Sequence, residues 1–185
     1  MKILLSGPHY SGKTTLAETL RDNYGLVGTF ESRPARAANK YFRTKPSDVP
    51  FGSREVFQNL AFVEQIILEE QNESVQLGTG DLTPIICDRT AVDFAAYTTD
   101  ETIKASILLY AKETYKYDCH IFLVEPLGKD PVDDGKRFLT DPNKLFQEFI
   151  NLYDMIDLEY HILKMGTINE RISEIERITG LGGSK

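Results

Sequence analysis

Short apolar runs alternate with helix-period stretches along this chain, and glycine, proline or small polar residues separate them. Ile3-Leu4-Leu5, between Lys2 and Ser6-Gly7, has the continuity of a strand buried on both faces. Leu16 and Leu20 then fall on one side of a helix, and residues 26–31 read as a second strand. An irregular stretch follows over 32–52. Ser53 predicts the N-cap of a long helix, with Val56, Leu60, Val63 and Ile67 as its core face. Residues 84–88 predict a buried strand ending in a carboxylate, followed by helices over 93–99 and 101–115. A fourth strand is expected at 120–124, a helix capped by Asp141 and running to about 159, a short strand at 161–164, and a last helix at 168–178. Leu145, Phe149 and Leu152 mark the buried stripe of the Asp141-capped helix.

Strands alternating with helices predict an α/β fold of three layers, a doubly wound five-stranded parallel sheet with helices on both sides. Ligands of such sheets gather at the carboxyl ends of the strands, which here carry Gly7, Glu31, Asp88, Glu125 and Gly166. At 185 residues the chain suits one domain, expected over 1–179 with a flexible tail at 180–185.

Gly7-Pro8-His9-Tyr10-Ser11-Gly12-Lys13-Thr14 satisfies G-x-x-x-x-G-K-[ST] at every fixed position, between a predicted strand and a predicted helix. The physical sense is direct: glycines let backbone N–H groups converge on an oxyanion, and the helix N-terminus favours negative charge. Gly7, Ser11, Gly12, Lys13, Thr14 and Thr15 are therefore candidate ATP-binding residues. Lys13 is expected on the β- and γ-phosphates, and the Thr14 hydroxyl on Mg²⁺. His9 and Tyr10 sit at free positions of the loop and are expected to point outward, with His9 not catalytic.

Asp88 is placed to hold the Mg²⁺ hydration shell, and Arg89 to clamp an anionic group in a bidentate contact. A helix cap beside a surface arginine is the plainer reading of the same pair. Glu31 is a candidate general base or anchor for a substrate hydroxyl, or else an ordinary loop carboxylate. Residues 32–52 hold Arg33, Arg36, Lys40, Arg43 and Lys45 against Asp48, a net charge of +4. With Tyr41, Phe42 and Phe51 among them, they suit an anionic second substrate with a stackable base, Arg33, Arg36 and Tyr41 being the candidate contacts. A solvated loop accounts for them equally well. Residues 127–140 have the size and composition of a lid loop, from which Arg137 or Lys136 would neutralise charge on a transferred phosphoryl group; a charge-balanced surface loop is the plainer reading. Gly166-Thr167 would let an adenine approach the backbone, or forms a simple turn.

A formal net charge of −7 argues against general nucleic-acid binding, which relies on a basic face. No apolar run approaches the roughly 20 residues of a membrane span. Cys87 and Cys119 fall in predicted strands and read as reduced core residues, in keeping with a cytoplasmic protein.

The order of these landmarks resembles the nucleoside/nucleotide kinase branch of P-loop proteins. It is similar in particular to small AAA-type kinases related to nicotinamide-riboside kinase domains, and more loosely to thymidylate and deoxynucleoside kinases. The resemblance rests on residues 7–15, Glu31, Asp88-Arg89-Thr90, Asp93, Asp134-Gly135-Lys136-Arg137 and residues 166–171. It implies a sheet order of 2-3-1-4-5, Mg·ATP as donor and a catalytic lid arginine. Pro34 between Arg33 and Arg36 and the long basic insert depart from the pattern and bear on the acceptor.

The leading expectation is an ATP-dependent kinase acting on a nucleoside, a nucleoside monophosphate or a similar small acceptor. A polynucleotide or modified-base DNA kinase is one alternative, motivated by the basic segment. A regulatory ATPase is another. A GTPase-type switch is disfavoured, because Asp88-Arg89-Thr90-Ala91 lacks the glycine of D-x-x-G, and Asn143-Lys144-Leu145-Phe146 ends in phenylalanine rather than aspartate.

Overall fold

The computed structural model describes residues 1–29, 51–128 and 141–183. In chain order the elements are β1 (Lys2–Ser6), α1 (Lys13–Tyr24), β2 (Val27–Thr29), α2 (Phe51–Thr79), β3 (Ile85–Asp88), α3 (Ala91–Tyr97), α4 (Glu101–Thr114), β4 (Cys119–Val124), α5 (Pro142–Ile156), β5 (His161–Leu163) and α6 (Ile168–Thr179). The five strands form one sheet in the order β2-β3-β1-β4-β5, every neighbouring pair parallel.

Successive side chains of a strand point to opposite faces, and both faces of this sheet are apolar. Leu4, Ile85, Cys87, Ile121 and Leu123 share a core with Ala61 of α2, Val92 and Phe94 of α3, Ile107 of α4 and Phe149 of α5. Their strand neighbours Ile3, Leu5, Ile86, Phe122 and Val124 pack instead with Leu16 and Leu20 of α1 and Ile172 and Ile175 of α6. Three layers result, as the alternation predicts. Among the described residues no helix is long and apolar enough to cross a membrane.

Local chemistry sets most boundaries. Asp141 caps α5, its carboxylate accepting from Asn143 N at 2.9 Å, and Asp100 does the same for α4 through Thr102 N and Ile103 N. Each such cap is worth about 1 kcal/mol. The stripe Leu145, Phe149 and Leu152 is buried as expected. Gly180 closes α6 with φ 71°, and Leu181 packs partly against the core.

Three expectations change. The second strand begins at Val27 rather than at Leu26 and is described through Thr29, and Phe30 and Glu31 lie outside the described residues. The long helix starts at Phe51, ahead of Ser53, so Ser53 is not its cap. Its buried face is also reversed. Val56, Val63 and Ile67 are exposed and Leu60 is half-buried, while Gln58, Ala61, Gln65 and Glu69 are buried. At 3.6 residues per turn these two sets lie on opposite sides of the helix. The face turned to the sheet is polar because it supplies hydrogen bonds there.

Candidate active site

The loop between β1 and α1 follows directly from its glycines. Gly7 has φ 132°, and a Cβ on it would stand 2.7 Å from Val124 O on the adjoining strand. Gly12, with φ 87°, is the N-cap of α1. Side chains cap α4, α5 and α6, whereas α1 begins with no side-chain cap and no acid in its first turn. The positive end of its dipole is thus left for an anion. Lys13 lies buried over the loop, its Nζ donating to Gly7 O at 2.6 Å, Pro8 O at 2.7 Å and Ser11 Oγ at 3.3 Å. Thr15 is exposed on the first turn of α1.

Asp88 ends β3 beside Leu5 of β1 and is fully buried. Thr14 Oγ1 donates to its Oδ2 at 2.7 Å. A hydroxyl and a carboxylate side by side, next to a phosphate loop, are the hard oxygen donors that Mg²⁺ prefers, so these residues fit the expected metal. Arg89 follows with φ 122°, a backbone state that L-residues rarely adopt and that marks strain. Its N–H donates to Leu5 O at 3.1 Å, and its carbonyl accepts from Gln65 Nε2 at 3.4 Å. Its guanidinium stands 3.9 Å from Asp93 Oδ1 and 5.9 Å from the centre of the Tyr97 ring.

Asp93 is as fully buried as Asp88. Its Oδ2 accepts from Ser6 Oγ at 2.7 Å, Thr90 Oγ1 at 2.9 Å and Thr90 N at 3.0 Å. Tyr153 OH lies 2.9 Å from Thr90 Oγ1; burial, and then the charge of Asp93, push the pKa of that phenol far up, so it stays protonated. The Thr90-x-x-Asp93 spacing is a capping box, a legible cue to this contact. Nothing in the sequence pairs Ser6 or Tyr153 with it, since both lie remote along the chain.

His9 does not point outward. It is buried, its ring stacked on Tyr97 at 5.8 Å with Nδ1 2.7 Å from Tyr97 OH, and its own N–H reaches the same oxygen at 3.3 Å. Pattern reading misses this because the partner is 88 residues away.

Arg171 braces the loop from the other side. Its guanidinium donates to Ser11 O at 2.6 Å, Lys164 O at 2.9 Å and Glu125 O at 3.0 Å, tying the loop to the ends of β4 and β5. Glu125 binds Met165 N at 2.7 Å. Gly166 is exposed and precedes a capping box between Thr167 and Glu170. The geometry there is that of a helix start. Glu31, Arg33, Arg36, Tyr41 and Arg137 lie outside the described residues, as do Lys40, Arg43 and Lys136. The structure therefore brings together Gly7, Ser11, Gly12, Lys13, Thr14, Asp88 and Arg89.

A glycine loop between β1 and α1, a carboxylate at the end of the neighbouring strand and the order 2-3-1-4-5 define a P-loop α/β fold. The chain belongs to the AAA domain family, which it matches over residues 2–171. No curated protein matches the sequence. Among solved structures it is similar to the NadR protein in complex with NR, at 16% identity and TM-score 0.68. That match covers 100% of this chain and 52% of the NadR chain, so the chain spans about half of NadR. It is also similar to thymidylate kinase from Ehrlichia chaffeensis, at 20% identity and TM-score 0.62, covering 97% and 98% of the two chains. Deoxyadenosine kinase from M. mycoides aligns at 16% identity and TM-score 0.59, covering 97% and 99%. At these identities the shared property is the fold.

Proposed function

We propose that this chain transfers the γ-phosphoryl group of ATP to a small acceptor, a nucleoside or nucleoside monophosphate. The observation that carries the reading is the Thr14–Asp88 hydrogen bond of 2.7 Å beside the Lys13 loop, because it joins a phosphate cradle to a metal-type oxygen pair. The kinase neighbours add support, with NadR also known in complex with NAD and AMP-PNP and the deoxyadenosine kinase with dATP.

In this reading the loop N–H groups and Lys13 hold the β- and γ-phosphates. Thr14 and Asp88 would hold Mg²⁺, in part through water, and the ion would supply neutralisation of phosphate charge. The acceptor hydroxyl attacks the γ-phosphorus, the bond to the β-phosphate oxygen breaks, and ADP leaves. Glu31 takes the hydroxyl proton, and Arg89 fixes the acceptor. Arg33, Arg36 and Tyr41 serve the acceptor side, and Arg137, in the lid at 127–140, neutralises charge on the transferred group. Residues 1–179 act as one catalytic unit, and Gly166 lies on the adenine side.

The test incubates the protein with Mg²⁺ and [γ-³²P]ATP, adding nucleosides, nucleoside monophosphates, nicotinamide riboside or DNA in turn. Label in one small molecule is the expected result. Label in DNA replaces the small acceptor by a polymer, and release of phosphate alone, whatever is added, overturns the kinase reading in favour of a regulatory ATPase.

A further inference from the structure

The segment 88–97 leaves the phosphate loop and returns to it. It starts at Asp88, bonded to Thr14, and ends at Tyr97, bonded to His9. Tyr97 is 8% exposed, and its ring packs edge-on against Phe149 at 6.5 Å. A phenylalanine would fill that space equally well. The hydroxyl therefore has a separate role, and both contacts described for it go to one residue of the loop, His9 N at 3.3 Å and His9 Nδ1 at 2.7 Å. The ring meanwhile stacks on His9 and lies 5.9 Å from the Arg89 guanidinium carbon, within reach of a cation–π contact. One side chain thus touches the donor loop through its oxygen and the acceptor-side arginine through its ring.

We propose that Tyr97 is a positioning residue that pre-orders two parts of the site separately, the phosphate loop through its hydroxyl on His9 and the guanidinium of Arg89 through its ring. The proposal rests on the phosphoryl-transfer reading above. A loop held at His9 is pre-ordered for phosphate, and an arginine held over the same ring is pre-ordered for the acceptor. The two ends are also chemically separable, since one depends on the hydroxyl and the other on the ring.

Tyr97→Phe removes the hydroxyl and keeps the ring. Losing a hydrogen bond of this kind weakens binding about three- to tenfold, and that is the rise expected in the Kd of Mg·MANT-ADP, a fluorescent nucleotide that needs no acceptor to report. In the label-transfer assay the same variant raises the KM for ATP by that factor and leaves the KM of the labelled acceptor within about twofold. Tyr97→Leu, which removes both contacts, raises both KM values. His9→Ala also raises the Kd for the nucleotide, and combined with Tyr97→Phe it falls short of additivity, because the two substitutions share the bond between Nδ1 and the hydroxyl. Melting temperatures establish folding; if Tyr97→Leu does not fold, Tyr97→Phe and His9→Ala carry the test.

A Tyr97→Phe protein that binds MANT-ADP within twofold of the wild type overturns the proposal and leaves the kinase reading intact. So does full additivity of Tyr97→Phe and His9→Ala. A wild-type protein that fails to bind MANT-ADP removes the kinase reading itself, and the proposal with it.

Discussion

Two buried carboxylates, Asp93 on α3 and Glu69 on α2, attach to the same short turn after β3 and are satisfied in opposite ways. Asp93 takes two hydroxyls and the Thr90 N–H on one oxygen, with Arg89 beyond the other. Glu69 accepts from Gln65 Nε2 at 2.9 Å and Tyr115 OH at 3.2 Å, and its other oxygen is 3.7 Å from Lys2 Nζ. Gln65 reaches on to Arg89 O, and Tyr115 OH accepts from Ala91 N at 3.1 Å. Burial pushes the Glu69 carboxyl above the usual glutamate range, and the bonds from Gln65 and Tyr115 and the charge of Lys2 only partly oppose it. Lys2 is itself pushed up: burial works against its charge, but the hydrogen bond to Glu73 and the charges of Glu69 and Glu73 outweigh it. The same surroundings raise Tyr110 to about 12 and Cys119 to about 11, burial leading in both, which leaves that thiol unreactive at neutral pH.

The difference separates two uses of a buried acid. Asp93 is held by short, neutral, fixed donors, an arrangement that orders a loop next to reacting groups. Glu69 sits in a charge cluster that supports the turn from behind and gains or loses a proton with pH.

If chemistry belongs to the Asp93 side, the largest effect comes from the phosphate loop itself. Lys13→Ala is expected to lower label transfer by at least about 100-fold with a melting temperature close to wild type; a fall in melting temperature without a fall in turnover would put Lys13 in the scaffold. Next, Asp93→Asn turns an acceptor into a partial donor facing Ser6 and Thr90. It is expected to cost about 2–3 kcal/mol of unfolding free energy in urea titrations, together with a loss of turnover. Full stability would mean that the hydroxyls can turn away at no cost.

Glu69→Gln tests the other side. Because the folded carboxyl holds its proton more tightly than the unfolded one, wild-type stability falls as pH rises from the ordinary glutamate range through the raised value, then levels off. The glutamine variant lacks that fall and keeps turnover, as melting curves across pH and label transfer will show; an unchanged pH slope assigns the titration elsewhere. The smallest effect is at the exposed Arg177–Glu174 pair on α6, where Arg177→Ala is expected to leave the melting temperature unchanged within error.

The stripe of α5 and the stripe of α2 show where sequence pattern succeeds and where it stops. On α5 the apolar residues Leu145, Phe149 and Leu152 have nothing to compete with, and they are buried. On α2 an apolar row and a polar row run along opposite faces, and periodicity detects both without ranking them. The polar row is buried because Gln65 and Glu69 answer the open backbone and charged groups of the turn and of Lys2. That demand exists only once β3 and β1 lie beneath the helix.

The sequence by itself determined the alternation of strands and helices, the glycine loop with Lys13 and Thr14, and the carboxylate at the end of β3. These are local: each depends on residues within one turn or one strand, where φ restrictions, capping and side-chain period act directly. Tertiary structure alone decided that Asp93 meets Ser6, that Thr90 meets Tyr153, that His9 turns inward to Tyr97, and that Arg171 spans 160 residues to hold Ser11 O. Such contacts form because buried polar groups must find partners, and which partners come within 3 Å is set by the packing of the layers and by no local pattern.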